Sequence, residues 1–224
     1  MQGQIAPRDK ARLKAYSIVT QVAAVGGVLS CVALVPASIG MQQVVRSGLY
    51  RSPQFQVWAM TTGFAFIAAA AFFIIGTIAF LLWFHKAIAN LRKIGLSGLT
   101  AKPLWAVASL FVPVAQLFVP FATMRELWNR SHGEDEYQAG ASVGTVTTWW
   151  TCLLTGVLLV TVVTVTGIIN LLTPFKIMTP ALLTIAFMLA GIVFWCAAAG
   201  YLALIVRRIT TAQDSLIDGK SIFA

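Results

Sequence analysis

The sequence predicts an all-α integral membrane protein with four transmembrane helices and one proline-broken helical segment that is re-entrant or interfacial. Only 10% of the 224 residues are charged and 58% are hydrophobic, whereas soluble domains carry about 25% charged residues. Four runs without any charge each exceed the roughly 20 residues that cross a bilayer as a helix. A fifth apolar run is interrupted by two prolines.

The predicted elements follow one another along a single membrane domain, residues 15–206. A basic, cytoplasmic N-terminus of residues 1–14 precedes it, and a cytoplasmic C-terminal tail of residues 207–224 follows it. A cleaved signal peptide is disfavoured because the first apolar run is longer than a typical signal-peptide core. The spanning helices are expected at about 15–41, 57–84, 143–172 and 179–206, of which the last two form a hairpin.

The fifth apolar run, residues 103–124, contains the unit Phe-Val-Pro twice. In a helix, each proline frees the carbonyl group four residues earlier. Free carbonyl groups are costly in lipid, so this run is expected to differ from the other four. Helical spacing predicts one polar face that contains Ser109, Pro113, Gln116, Pro120 and Thr123.

The distribution of positive charges decides how this fifth run is interpreted. If all five runs span the membrane, the 16 lysines and arginines divide nine to seven between the two sides. If residues 103–124 enter and leave on one side, the division becomes 13 to 3, as the positive-inside rule requires. We therefore expect four spans with both termini in the cytoplasm, and five spanning helices are the alternative.

Distinctive motifs lie within residues 83–131. They are W-F-H-K-A from Trp83, N-L from Asn90, P-x-W-A-V from Pro103 and E-L-W from Glu126. In order and spacing, these motifs resemble the bacterial membrane family known as domain of unknown function 4328.

The resemblance implies kinship of fold and a place in the bacterial inner membrane, and it implies no activity. The sequence departs from the family pattern at several positions. Lys86 stands where the family usually has arginine, and Leu110 stands where tryptophan is common. Gln116 stands where asparagine is common, so an amide is retained at that position.

Polar residues on either side of the broken segment are the best candidates for a site. We expect them to stabilise the freed backbone groups within the bundle. A pocket for a small ligand or a lipid headgroup beneath the prolines is the alternative. The candidate structural or pocket residues are Asn90, Pro113, Gln116, Pro120, Arg125, Glu126 and Trp128.

Basic residues at the predicted cytoplasmic end are expected to contact anionic lipid headgroups. Such contacts are worth about 1 kcal/mol per residue near the membrane surface. The positive-inside signal by itself explains the same residues. They are Arg8, Lys10, Arg12, Lys14, Lys86, Arg92 and Lys93.

The sequence predicts no catalytic residue, no metal ligand and no cofactor. His85 and His132 are poorly placed to hold a haem between facing helices. All seven acidic residues lie outside the charge-free runs, which disfavours proton-coupled transport. No hydrolase, metalloprotease or phosphate-loop motif is present. The three cysteines lie in apolar runs without a C-x-x-C pair, which favours a packing role.

These observations favour a non-enzymatic structural or accessory subunit of a larger membrane complex. The expected partners are membrane lipids and other membrane subunits or further copies of this chain, and no nucleic acid is expected despite the net charge of +9. The alternative is a small-solute or lipid-handling membrane protein whose pocket contains Gln116.

Overall fold

A computed structural model describes residues 6–48, 52–175 and 177–222. Within these ranges the chain is helical and contains no strand, so the predicted all-α class is confirmed. Parts of the predicted N-terminus, first loop, hairpin turn and C-terminal tail lie outside the described residues, at 1–5, 49–51, 176 and 223–224.

Within the described residues the chain forms four long helices, and two shorter helices lie between the second and the third of them. Each long helix is long and apolar enough to cross a bilayer, in agreement with the four predicted spans. The chain is therefore a multi-pass membrane protein. The helices are α1 (Pro7–Arg46), α2 (Pro53–Lys93), α3 (Pro103–Ala108), α4 (Ala115–Ser131), α5 (Gly144–Leu172) and α6 (Ala181–Ile222).

The long helices extend beyond the apolar runs that identified them. Helix α1 begins at Pro7, a residue whose fixed φ and missing N–H suit the first turn. Helix α6 continues to Ile222, so residues 207–222 prolong the last span and do not form a separate segment. Helices of 40 residues are about 60 Å long, roughly twice the hydrocarbon thickness of a bilayer.

The four long helices pack as two hairpins, α1 with α2 and α5 with α6, and α1 also packs against α6. Glycines allow close approach within each pair. A Cβ atom on Gly156 would lie 3.2 Å from the backbone nitrogen of Trp195 and 3.3 Å from the carbonyl oxygen of Gly191. The Phe72 ring similarly occupies the space where Gly26 has no side chain. Small residues at helix crossings are typical of membrane proteins.

A side chain of α5 organises the turn of the second hairpin. The Asn170 amide nitrogen donates to the carbonyl of Ile177 at 3.1 Å, and its oxygen accepts from the Ile177 N–H at 2.6 Å. The predicted hairpin is therefore present, with its turn between the end of α5 and the start of α6.

The packed core lies at one end of the bundle. It joins the start of α1, the end of α2, helix α4, the start of α5 and the end of α6. Since the end of α2 and the start of α5 join the same cluster, the segment between them begins and ends at the same end of the bundle. Residues from these five elements that are at most 1% exposed include Leu13, Trp83, Met124, Val146 and Ile209.

Residues 103–124 do not form one helix, and the alternative of five spanning helices is not supported. Helix α3 passes into a short 3-10 turn, and the helix stops at Val112, because the residue before a proline disfavours helical angles. Val114 has a φ of 69°. The prediction of one polar face was wrong for this reason: Ser109 is fully buried, whereas Pro113 and Gln116 are exposed.

Gly156→Leu is expected to destabilise the α5–α6 hairpin by about 1–3 kcal/mol, because the crossing has no room for a side chain. The measurement is thermal unfolding in detergent. Gly167→Leu is the matched control, since a Cβ atom at this position of the same helix would meet no other atom within 4 Å. Equal melting temperatures for the two variants would contradict the close crossing.

Candidate functional site

The turn that carries Pro113 is an exposed apolar tip. The backbone N–H of Gln116 donates to the carbonyl of Val112 at 2.9 Å, which closes the turn around the proline. Phe111 and Val114 are each 69% exposed. Pro120, by contrast, is buried in α4. The structure therefore separates Pro113 and Gln116 from the other predicted site residues.

Glu126 connects α4 to the segment that follows α2. Its carboxylate accepts a hydrogen bond from the backbone N–H of Thr100 at 3.0 Å and another from the Thr100 hydroxyl. The side chain is only 8% exposed. Its partner lies in the connection between α2 and α3. Two hydrogen bonds to a buried carboxylate fix this connection in place.

Asn129 and Arg130 hold the loop between α4 and α5 in the same way. The Asn129 amide nitrogen lies 3.0–3.1 Å from the carbonyl oxygens of Gln138, Ala139 and Ala141. The Arg130 guanidinium donates to the carbonyl of Glu134. These donors satisfy backbone acceptors of the loop between α4 and α5.

Arg125 and Trp128 take part in ring contacts on the outer side of α4. The Arg125 guanidinium lies 4.7 Å from the centre of the Phe121 ring, a cation–π distance. Phe121 also stacks on Trp150 of α5. Trp128 stacks on His132, with their ring centres 4.6 Å apart. The contact of Phe121 with Trp150 attaches α4 to the first turns of α5.

A buried polar layer joins α2, α4 and α6. The Gln213 amide nitrogen lies 3.2 Å from both the Ala87 carbonyl and the Ser131 hydroxyl oxygen. The Trp83 indole N–H donates to the Thr210 hydroxyl at 3.0 Å. Because an unpaired buried donor is costly, these hydrogen bonds fix the positions of the three helices relative to one another.

Asn90 lies within the buried surface of α2 and is fully buried. Neither its amide nitrogen nor its amide oxygen has a hydrogen-bond partner among the residues that the structure describes. The expected role of Asn90, to cap carbonyls freed by the prolines, is therefore not seen in its contacts.

The basic residues expected to contact lipid divide into two groups. Lys86 and Lys93 form ion pairs with Asp9 at 2.6 and 2.7 Å, which ties the end of α2 to the start of α1. Arg92 donates to the carbonyls of Leu99 and Ala101. The remaining four lie on the first turns of α1, where Arg8, Arg12 and Lys14 are exposed and Lys10 is half-buried.

The arrangement joins backbone segments and does not gather reactive groups. Within the described ranges, no three side chains of histidine, cysteine, aspartate or glutamate are close enough to hold a metal ion. Sequence reasoning missed Asn129, Arg130, Thr210 and Gln213. Helical spacing was the available signal for the last two, since Thr210 and Gln213 lie on the same face as buried Val206 and Ile209.

The chain matches a family model described as a domain of unknown function (DUF4328) over residues 53–211. It belongs to this family. The resemblance predicted from the motifs is therefore confirmed. The match begins at the first residue of α2 and includes the broken segment, whereas α1 lies before it. No curated protein and no solved structure matches the chain.

Asn129→Ala is expected to lower the free energy of unfolding by about 1–3 kcal/mol, because three carbonyl acceptors lose their donor. Limited proteolysis is expected to cut the loop of residues 132–143 faster in this variant. Gln116→Ala, at an exposed position, is the control. An unchanged cleavage rate in Asn129→Ala would contradict the role assigned to the amide.

Asp9→Asn is expected to lower thermal stability in a pH-dependent manner. Hydrogen bonds from Lys86 and Lys93 lower the pKa of the Asp9 carboxyl from 3.8 to about 2, and this group precedes the apolar part of α1. A pKa lowered in the folded state stabilises the protein above about pH 4, and this contribution is lost as the pH falls towards 2.

The melting temperatures of wild type and Asp9→Asn should therefore differ at pH 6 and converge near pH 2. Asp214→Asn, on the last turns of α6, is the control. A difference between wild type and Asp9→Asn that does not change with pH would contradict the ion-pair assignment.

Proposed function

We propose that this chain is a non-enzymatic structural or accessory subunit of a larger complex in the bacterial inner membrane. One observation carries the proposal. In the most apolar windows of the four candidate spans, only 6–11% of the residues are buried within the chain. Most of the membrane-embedded surface is therefore available to lipid and to other membrane helices.

The arrangement of helix ends supports cytoplasmic termini. The start of α1 and the end of α6 join the same packed end as the segment between α2 and α5. The chain segments at this end carry 13 of the 16 lysines and arginines. The positive-inside rule assigns the more basic side to the cytoplasm.

One face of α5 supports contact with another transmembrane helix. Thr147, Thr151 and Thr161 are exposed and share this face with the exposed side chains of Leu154 and Leu158. Hydroxylated and small side chains promote close packing between membrane helices. We infer that a transmembrane helix of a partner subunit packs here. Thr155 of the same helix is half-buried.

A small-solute pocket beneath the prolines has less support. Gln116 is exposed at the tip of the broken segment. It lines neither of the two cavities described for the chain, one beside the end of α6 and one near the turn between α5 and α6.

Purification from the native membrane in mild detergent tests the proposal. We expect a particle in which this chain is stoichiometric with at least one other membrane protein, identified by mass spectrometry. A homogeneous particle that contains a single 24.1 kDa chain and no partner would overturn the proposal.

Substitutions locate the interface within that particle. Thr151→Leu with Thr161→Leu is expected to release the partner, because the close helix contact is lost while the surface remains compatible with lipid. Thr61→Leu, at an exposed threonine of α2, is the matched control. Gln116→Leu should leave the complex intact, whereas loss of solute transport with normal assembly would favour the pocket alternative.

A further inference from the structure

A cavity of about 620 Å³ lies between the end of α4 and the end of α6. Its α6 residues are spaced by three and four positions and therefore form one face of the helix. His132, which follows α4, contributes from the other side. The lining includes His132, Leu204, Arg207, Arg208, Thr211 and Ser215.

The chemistry of this lining suits a phosphate group. Arg207 and Arg208 are exposed, and neither makes an ion pair or a hydrogen bond among the described residues. Among the residues whose side chains the structure describes, no carboxylate lines the cavity. Guanidinium groups bind phosphate oxygens through paired hydrogen bonds, and the hydroxyl of Thr211 is a further donor, whereas the Ser215 hydroxyl donates to the Ala212 carbonyl.

The position of the cavity distinguishes a lipid from a free anion. The apolar run of α6 ends at Val206, immediately before Arg207. Leu204 is an apolar member of the lining. Gly200, one turn earlier in α6, leaves open space beside the helix, because no atom lies within 4 Å of the place that its Cβ atom would take. An anionic headgroup at the arginines would therefore have its acyl chains beside an apolar helix surface. Arginines that directly follow an apolar transmembrane run are expected at the headgroup region of the bilayer.

The opposite face of α6 keeps the arginines directed outward. Val206, Ile209 and Gln213 are at most 1% exposed and pack into the core. His132 forms the facing wall; its ring stacks on Trp128, and its Nδ1 atom lies 2.8 Å from the Trp128 carbonyl oxygen. The α6 wall is thus fixed by buried contacts, and the His132 wall by its contacts with Trp128.

We propose that this cavity is a binding site for the phosphate headgroup of an anionic phospholipid. The proposal is independent of the subunit role. It places the specific lipid contact on α6 and α4, away from the basic N-terminus that the charge pattern alone favours.

The test titrates purified full-length protein in neutral detergent with phosphatidylglycerol, phosphatidylcholine or inorganic phosphate. Thermal unfolding and native mass spectrometry report binding. We expect phosphatidylglycerol to raise the melting temperature and to stay bound, and the other two probes to have little effect. An equal effect of phosphatidylcholine would overturn the proposal, and an equal effect of inorganic phosphate would reassign the site to a free anion.

A matched pair of double variants separates a shaped site from general surface charge. Arg207→Gln with Arg208→Gln should weaken phosphatidylglycerol binding by at least about tenfold, since each cation near an anionic headgroup contributes roughly fivefold. Arg8→Gln with Arg12→Gln removes the same charge from exposed positions on α1 that do not line the cavity, so this double variant should weaken binding much less than the Arg207 and Arg208 variant. Equal weakening in the two variants would overturn the proposal.

A third variant fills the cavity without changing its charge. Ala212 lines the cavity and is half-buried, so Ala212→Phe should exclude the headgroup while both arginines remain. This variant tests the proposed lipid site even if the arginine double variant fails to fold. Binding of phosphatidylglycerol to Ala212→Phe at wild-type affinity would overturn the assignment to this cavity.

Discussion

Backbone hydrogen bonding at the packed end of the bundle is the constraint on which the rest of the structure depends. A chain that breaks its helix near lipid must provide partners for the freed groups, because unpaired backbone groups are costly there. Glu126 and Asn129, both in α4, provide partners for backbone groups of the connections before α3 and after α4. The broken segment therefore returns to the end of the bundle where its flanking connections lie.

Packing in this protein is divided between two regions with different roles. At the packed end, Trp83 and Gln213 join α2 to α6 through buried hydrogen bonds. In the apolar windows, the helices pack mainly in pairs and bury few residues. Stability within the chain thus comes mostly from one end, while the apolar surface remains open to lipids and partner helices. A subunit role and a lipid site both suit this division.

The two faces of α6 explain how a structural helix provides a charged cavity. The face that contains Val206 and Ile209 is buried against the core, so it fixes the rotation of the helix. That rotation leaves Arg207 and Arg208 on the surface beside His132. The ion pairs of Asp9, in contrast, occupy Lys86 and Lys93 with contacts inside the protein. Similar charges at one end of the bundle therefore have different roles.

The sequence alone determined the membrane class, the four spans, the hairpin and the family, because these follow from hydropathy, length and motif order along the chain. The family motifs also led to Glu126, although its partner was not predicted. Only the tertiary structure decided that Gln116 is exposed, that Asn129 holds a loop and that Arg207 and Arg208 line a cavity. The exposure of Gln116 follows from the local break at residues 112–114, whereas the loop contacts of Asn129 and the rotation of α6 are set by contacts within the folded bundle.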